Sequence, residues 1–109
     1  MYEAKLRMAE VYDGFGEPDR ANELRAEAKR LREAFSAAFW DADESFFALA
    51  LDGRKRQVRT VSSNPGHCLY CGIIDDEKAA LAAERLMAAD MFSGWGIRTI
   101  ASSCRAYTQ

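Results

Sequence analysis

Cysteine, histidine and proline are scarce in this chain, and their scarcity excludes several classes of protein. The 109 residues include three cysteines, one histidine and two prolines. An odd number of cysteines argues against a disulfide framework, and free thiols are typical of a reducing compartment, so a cytoplasmic location is expected. No apolar run approaches the roughly 20 residues of a membrane span. The charged N-terminal segment also lacks the apolar core of a signal peptide.

The charge of the chain also indicates no particular class of partner, because acidic and basic residues are nearly equal in number. Lys and Arg number 15 against 17 Asp and Glu, which gives a formal net charge of -2. Proteins that bind nucleic acid or anionic membranes carry a basic surplus, so neither partner is expected. Hydrophobic residues make up 49% of the chain, as in an ordinary globular protein. Because no linker or low-complexity tract interrupts it, we expect a single domain over residues 1–109.

Two amphipathic helices are predicted in the first 39 residues. Leu6, Ala9 and Tyr12 recur at helical spacing, and the glycines and proline within residues 14–18 end this first helix. No second copy of the helix pair follows, so a repeat array is not favoured. The second helix carries a longer apolar stripe opposite a charged, solvated face. The stripe consists of Ala21, Leu24, Ala28, Leu31, Phe35 and Phe39.

One small β-hairpin is predicted in the middle of the chain. An Asp-Gly dipeptide at residues 52–53 separates an apolar run over residues 46–51 from a run over residues 57–61 that contains β-branched residues. This is the pattern of a turn between two paired strands. The expected fold class is therefore mainly α, built from antiparallel helix pairs with one small hairpin.

Two further helices and a loop complete the predicted structure. A short, mostly apolar helix is expected to begin at Asn64-Pro65 and to run to residue 74. Residues 75–76, both aspartate, cap an Ala-rich helix over residues 77–89. A glycine-punctuated aromatic loop follows over residues 91–100.

Two of these segments resemble a known family. Residues 63–70 read SNPGHCLY, with Gly72 and Ile73 just after, and residues 92–101 read FSGWGIRTIA. In order and spacing they are similar to strings of the amylo-α-1,6-glucosidase (glycogen-debranching) family of glycoside hydrolases. The resemblance covers nearly the whole chain, but the two loop segments carry its specificity. Tyr70 stands where that family usually has Trp, and the two cysteines at 68 and 71 replace aliphatic or small residues.

The resemblance implies a segment of an (α/α)6 toroid, a barrel of paired inner and outer helices whose chains are several times longer than this one. It also implies inverting hydrolysis by two carboxylic acids that face each other across the sugar. In that family the general acid lies before, and the general base after, the region resembled here. No Asp or Glu is therefore assigned a catalytic role. We expect a fragment that contributes to a sugar-binding rim, is inactive alone, needs no cofactor, and has an α-glucan as its carbohydrate partner.

Four side chains in the two segments suit such a rim. The antiparallel helix pair between the segments is predicted to return the chain to the side that it left, so both loops should lie together. Trp95, between two glycines, offers a flat apolar face on which a sugar ring can stack. Asn64, His67 and Arg98 offer hydrogen-bonding groups for hydroxyls. These four residues are the predicted substrate-binding residues.

Each of the four also has a purely structural interpretation. Asn64 can cap the short helix. His67 can be buried and bonded to backbone. Trp95 can belong to the core, and Arg98 can pair with an acid such as Asp90.

The cysteines raise a further alternative, a zinc site. Cys68 and Cys71 share a helix face, and with His67 and Cys104 they would supply four ligands. Zinc-binding Cys-x-x-Cys motifs usually lie on knuckles rather than in apolar helices, and free cysteines are commonly buried. Structural thiols without metal are therefore predicted.

The sequence also allows a second class of function, without enzymatic activity. The chain can be a non-enzymatic helical module that self-associates or binds another protein, because an open barrel segment exposes apolar helix faces. The apolar residues 68–74 have no evident polar face, and self-association is predicted on the ground that they must be buried.

Overall fold

The computed structural model describes residues 1–105 and residue 107. Within them, no helix is long and apolar enough to cross a membrane. The predicted mainly helical class, a segment of an (α/α) toroid, is confirmed. The described elements follow one another as α1 (Tyr2–Gly14), α2 (Pro18–Phe39), β1 (Trp40–Asp41), β2 (Phe46–Phe47), β3 (Ala50–Leu51), β4 (Gln57–Val58), α3 (Pro65–Tyr70) and α4 (Asp76–Leu86).

Helices α1 and α2 form an antiparallel hairpin around residues 15–17. The buried residues of the two helices are all alanines, at positions 9, 21 and 28. Ion pairs join Lys5 to Glu27 and Asp13 to Arg25 across the pair. Pro18 lies in the first turn of α2, where its missing amide hydrogen costs nothing, as predicted.

The hydrophobic core forms where the C-terminal end of α2 meets the hairpins, α3 and α4. The Phe35 ring stacks on Phe39 and on Phe47, with centroids 5.0 and 5.3 Å apart. Such aromatic pairs stabilise a core beyond the area that they bury. The buried cluster consists of Phe46, Phe47, Ile73, Ile74, Ala82, Leu86, Met91 and Ala101.

Two small hairpins are present in the described residues where one was predicted. The expected hairpin forms between β3 and β4, with Ala50 paired to Val58. The first two residues of the apolar run form β2, which pairs with the preceding strand β1, so that Phe47 lies opposite Trp40. Sequence reasoning missed this second hairpin because its turn contains no glycine. Ser45 supplies the left-handed backbone there, with φ of 48°.

Helix α3 is shorter than predicted, and the expectation that it runs to residue 74 is wrong. It ends at Tyr70, because Gly72 adopts a left-handed φ of 68° that a continuing helix does not allow. Helix α4 likewise ends at Leu86 rather than near residue 89. Its predicted start is confirmed, since the Asp75 carboxylate accepts a 3.0 Å hydrogen bond from the Lys78 amide.

The early end of α3 means that residues 68–74 do not form the apolar helix from which self-association was predicted. Ile73 and Ile74 are buried inside the chain, at 8% and 5% exposure. Tyr70, by contrast, is 89% exposed and points away from these buried residues into water. Residues 68–74 therefore present no continuous apolar surface that a partner would have to cover.

Candidate functional site

The two family-like segments lie side by side. The Ser63 amide donates to the Thr99 carbonyl at 3.0 Å, and the Ala101 amide donates to the Val61 carbonyl at 3.0 Å. Ser62 and Ile100 form the antiparallel bridge between these bonds. Asn64 directly follows, and Arg98 directly precedes, the bonded Ser63–Thr99 pair. The backbone alone therefore brings these two candidate residues to one place in the fold.

The return of the chain runs through α3 and α4. The Gly66 Cα lies so close to the end of α4 that a Cβ built on it would meet the Leu86 side chain at 3.9 Å. The start of α3 thus faces the end of α4, which is the arrangement of an antiparallel pair. The segment after α4 consequently begins on the side where α3 began.

Trp95 lies at the tip of a tight loop and is 100% exposed. The loop closes through the Phe92–Ile97 bridge, and the Ser93 amide donates to the Gly96 carbonyl at 2.9 Å. The Ser93 hydroxyl also accepts bonds from the Trp95 and Gly96 amides at 3.3 and 3.2 Å. Gly94 provides the left-handed φ of 91° that this turn requires. The interpretation of Trp95 as a core residue is wrong.

Arg98 is held by the backbone rather than by an acid. Its amide donates to the Met91 carbonyl at 2.7 Å, and its guanidinium donates to the Ala89 carbonyl at 3.3 Å. The alternative pairing with Asp90 is wrong, because Arg85 binds that carboxylate through two bonds of 2.7 and 2.9 Å. The half-buried Arg98 side chain can therefore offer its remaining donors to a ligand.

Asp90 is the residue that fixes the base of the loop, and sequence reasoning considered it only as a partner of Arg98. Besides Arg85, it accepts a 2.6 Å hydrogen bond from the Ser103 hydroxyl. These bonds, that from Arg85 first, lower the pKa of the Asp90 carboxyl to about 2. In the sequence, this role of Asp90 was indicated only by Arg85, a cation that lies five residues upstream and near the helix end.

Asn64 does not act as a side-chain cap. Its backbone is already helical, with φ of -54° and ψ of -40°, and its side chain accepts no capping bond. A cap residue needs an extended backbone to turn its side chain onto the first free amides. The exposed Asn64 instead lines a cavity of about 80 Å³ together with Phe35, Phe39 and Phe47.

His67 is exposed on α3, so its interpretation as a buried histidine is wrong. It follows Asn64 by one helical turn, and Tyr70 follows it by another three residues on the same face. The sequence analysis did not include Tyr70 among the site residues, although its spacing of three residues from His67 places the two on one helix face. Among the described residues, no hydrogen bond joins any two of the four predicted site side chains.

The three thiols pack against the core cluster and are not joined in disulfides. Burial, and to a smaller extent the neighbouring Cys71, raises the pKa of the Cys68 thiol. In the part of the chain that the structure describes, no three His, Cys, Asp or Glu side chains are grouped to hold a metal ion.

A larger open cavity, of about 350 Å³, lies between the β1–β2 turn and α4. Glu44 and Glu84 bring two carboxylates to it, and Arg85 contributes a guanidinium. None of the four predicted site residues lines this cavity. No family string covers its carboxylates, so neither is assigned a catalytic role.

The described helices and small hairpins form a segment of an (α/α) toroid. The sequence model described as "Mannosylglycerate hydrolase MGH1-like glycoside hydrolase domain" matches residues 1–109. The chain therefore belongs to this MGH1-like glycoside hydrolase family. The match confirms the glycoside hydrolase assignment and does not single out amylo-α-1,6-glucosidase. Neither the curated proteins nor the solved structures gave a significant match.

Proposed function

We propose that this chain supplies part of the sugar-binding rim of a toroidal glycoside hydrolase. Trp95 is the stacking platform for a pyranose ring, and Asn64, His67 and Arg98 bind hydroxyls around it. The observation that carries the proposal is the fully exposed Trp95 ring on a loop whose backbone is fixed by hydrogen bonds.

An indole that stays entirely in water forgoes the burial that a tryptophan normally gains. A rigid loop keeps that ring presented at little further cost in conformational entropy when a ligand arrives. The C–H face of a sugar can then cover the apolar ring. Arg98 supports this role because its backbone and one guanidinium nitrogen are already anchored, which leaves other donors in a defined direction.

The proposed role is binding without bond cleavage. Inverting hydrolysis requires an acid to protonate the leaving oxygen and a base to activate water across the ring. No carboxylate in this chain matches either position of the resembled family. We therefore propose that the chain alone hydrolyses no glycoside and that the catalytic pair belongs to other parts of a complete toroid.

The substrate is proposed to be an α-glucan, in line with the two loop strings. The family's name instead refers to mannosylglycerate, which carries a carboxylate. Arg98 would pair with that anion, and such binding would weaken with salt. Binding of a neutral maltooligosaccharide through Trp95 would be almost independent of salt, so salt dependence separates the two ligands.

The test is a titration of the chain with a maltooligosaccharide, followed by amide and indole NMR. We expect weak, millimolar binding with the largest shifts at the Trp95 indole and at residues 63–67 and 93–98. Trp40, half-buried in the core, is the internal control and should not shift. Trp95→Ala should abolish the response, whereas Phe15→Ala, which removes an exposed aromatic ring at the far end of α1, should not.

Two outcomes count against the proposal. Shifts in Trp40 or spread over the whole chain would show that the sugar does not recognise the two loops. Binding unaffected by Trp95→Ala would remove the platform. Binding of mannosylglycerate alone, with strong salt dependence, would keep the rim and change the substrate.

A further inference from the structure

A cavity of about 80 Å³ lies between the end of α2, strand β2 and the start of α3. Of the described residues that line it, six are apolar, while Asn64 contributes an amide and Cys68 a thiol. Ligand-binding pockets have this composition, with mostly apolar and aromatic walls and a few polar groups. Asn64 is the exposed member of the lining, whereas the others are buried or half-buried, so the mouth of the cavity lies at Asn64.

The aromatic walls of this cavity are held in place by one another. The Phe35 ring stacks on Phe39 and on Phe47, and Trp40 packs edge-on against Phe47 from outside the cavity. Rings that are fixed in this way cannot close the space without losing these contacts. The cavity is therefore formed in advance, and a ligand enters it at little cost in the ordering of side chains.

The volume of the cavity limits the size of its ligand. An apolar cavity of about 150 Å³ accepts a benzene ring, so a volume of about 80 Å³ has room for about three carbon atoms. A whole pyranose ring is too large for it. Water is also a poor occupant, because apolar cavities provide few of the hydrogen bonds that a buried water needs. The ligand that fits is a short alkyl group, whose burial strengthens binding about fourfold for each methylene.

The mouth of the cavity adjoins the proposed rim. Asn64 belongs to both, and the neighbouring Ser63 amide is bonded to the carbonyl of Thr99, the residue after Arg98. A sugar bound by Asn64 and Arg98 would therefore hold its attached group next to the cavity. We infer that the cavity binds the short alkyl aglycone of a glucoside held at the rim. This inference rests on the proposed function and adds alkyl glucosides to the α-glucans named there.

The test is a titration of the full chain with methyl, propyl and hexyl α-D-glucosides, followed by NMR. The propyl glucoside should bind about 15-fold more tightly than the methyl glucoside, because two further methylenes are buried. The hexyl glucoside should gain nothing beyond the propyl glucoside, because the cavity is then full. The protons of the propyl group should also show nuclear Overhauser effects to the rings of Phe35, Phe39 and Phe47.

Variants that change the volume of the cavity test it separately from the rim. Cys68→Leu should remove the preference for the propyl glucoside and leave the affinity for the methyl glucoside within about twofold. Cys71→Leu is the matched control, because the same substitution three residues further along lies outside the lining and should keep the preference. Should Cys68→Leu fail to fold, Cys68→Ala enlarges the cavity instead. In that variant the longest chain that still gains affinity should move from propyl to butyl.

The outcomes separate this inference from the proposed function. Equal affinities for the methyl and propyl glucosides, with shifts at Trp95, would overturn the inference and leave the rim intact. A preference that persists in Cys68→Leu, or that grows further with the hexyl glucoside, would also overturn it, because the alkyl chain would then bind elsewhere. A different result would be Overhauser effects from 1-propanol to the phenylalanine rings without any glucoside response at Trp95. That result would overturn the proposed function, and with it the assignment of the alkyl group as an aglycone.

Discussion

The Ser63 amide and the Thr99 carbonyl are joined by a hydrogen bond of 3.0 Å. This bond ties the residue just before α3 to the end of the Trp95 loop, although most of the second half of the chain lies between them. The two segments that resemble a glycoside hydrolase family are therefore neighbours in space. Their proximity is a property of the backbone, so it does not depend on how individual side chains are oriented.

The exposure of Trp95 predicts two distinguishable tryptophan signals. Trp40 packs edge-on against Phe47, with centroids 5.0 Å apart, and the Lys78 ammonium lies over its ring. Trp95 is entirely in water. Acrylamide quenching should therefore be biphasic in the unmodified chain and become simple in Trp95→Phe. That variant should unfold within about 0.5 kcal/mol of the unmodified chain, as is usual for a surface substitution. A loss of several kcal/mol would mean that the ring contributes to packing.

The ion pair of Asp41 and Arg59 predicts a stability effect away from the rim. Asp41 is only 3% exposed, and the Arg59 guanidinium lies 3.0 Å from one of its oxygens and also binds Asp43 at 2.9 Å. Among the described residues that Asp41 oxygen has no hydrogen-bond donor of its own, so the guanidinium charge is its main compensation. Arg59→Ala should destabilise the fold by about 2–3 kcal/mol, less than a fully buried pair because Arg59 is half exposed.

A double-mutant cycle provides the control for this pair. Asp41→Ala together with Arg59→Ala should cost less than the sum of the single changes, by at least about 1 kcal/mol, because the uncompensated carboxylate is removed. Urea unfolding measures all four proteins. Additive effects would contradict the assigned role of Arg59.

The helical part of the fold was predictable from sequence, and its exact ends were not. Helix α2 follows from residue spacing alone, because apolar residues that recur once in every turn form one stripe, and such a stripe packs on a core. The end of α3 depended on Gly72 adopting a left-handed conformation. Glycine permits this but does not enforce it. The β1–β2 hairpin depended on Ser45 taking the same conformation, for which the sequence holds no signal.

In the candidate site, too, the residue types were predictable and their exact contacts were not. Sequence reasoning could name Trp95 and Arg98, because residue type and flanking glycines indicate what a side chain can do. It could not decide between competing partners of equal chemistry. Asp90 was within reach of two arginines, and Arg85 rather than Arg98 binds it because the end of α4 brings the Arg85 guanidinium to both carboxylate oxygens.

The Cys68 thiol is predicted to react slowly, and the three thiols are predicted to bind no metal. Burial raises the pKa of Cys68, so less thiolate is present at neutral pH, and the thiolate is the reactive and metal-binding form. Iodoacetamide should modify Cys68 well after a fully exposed thiol such as glutathione. Elemental analysis should find no stoichiometric zinc. One zinc per chain would refute this prediction, and Cys68→Ser would then identify whether this thiol is a ligand.

The chain alone is predicted to release no glucose from α-1,6- or α-1,4-linked glucans, because catalysis needs a pair of carboxylates placed across the sugar. The measurement requires protein purified from host glycosidases. A preparation of the Trp95→Ala variant, carried through the same steps, serves as the control for contamination. Activity that is present in the unmodified chain and lost in this variant would contradict the prediction.

The network around Asp90 predicts how the stability of the fold depends on pH. Its carboxylate accepts bonds from Arg85 and from Ser103, which lower its pKa from the ordinary value of 3.8 to about 2. The folded chain therefore binds a proton at this group less readily than the unfolded chain does. Stability from Asp90 is complete above about pH 4 and is lost as the pH falls from there towards 2. After allowance for solvent screening, the contribution is about 1–2 kcal/mol.

Asp90→Asn isolates that contribution from the other acids, since the variant lacks only this titrating group. Near neutral pH the variant should unfold about 1–2 kcal/mol more easily than the unmodified chain, and the difference should shrink towards zero near pH 2. Ser103→Ala, which removes one of the bonds and no charge, should show a smaller loss. Because the next residue, Met91, accepts the Arg98 amide, Asp90→Asn should also broaden the amide signals of residues 91–98. A stability difference that stays constant from neutral pH to pH 2 would show that Asp90 acts through packing rather than through its charge.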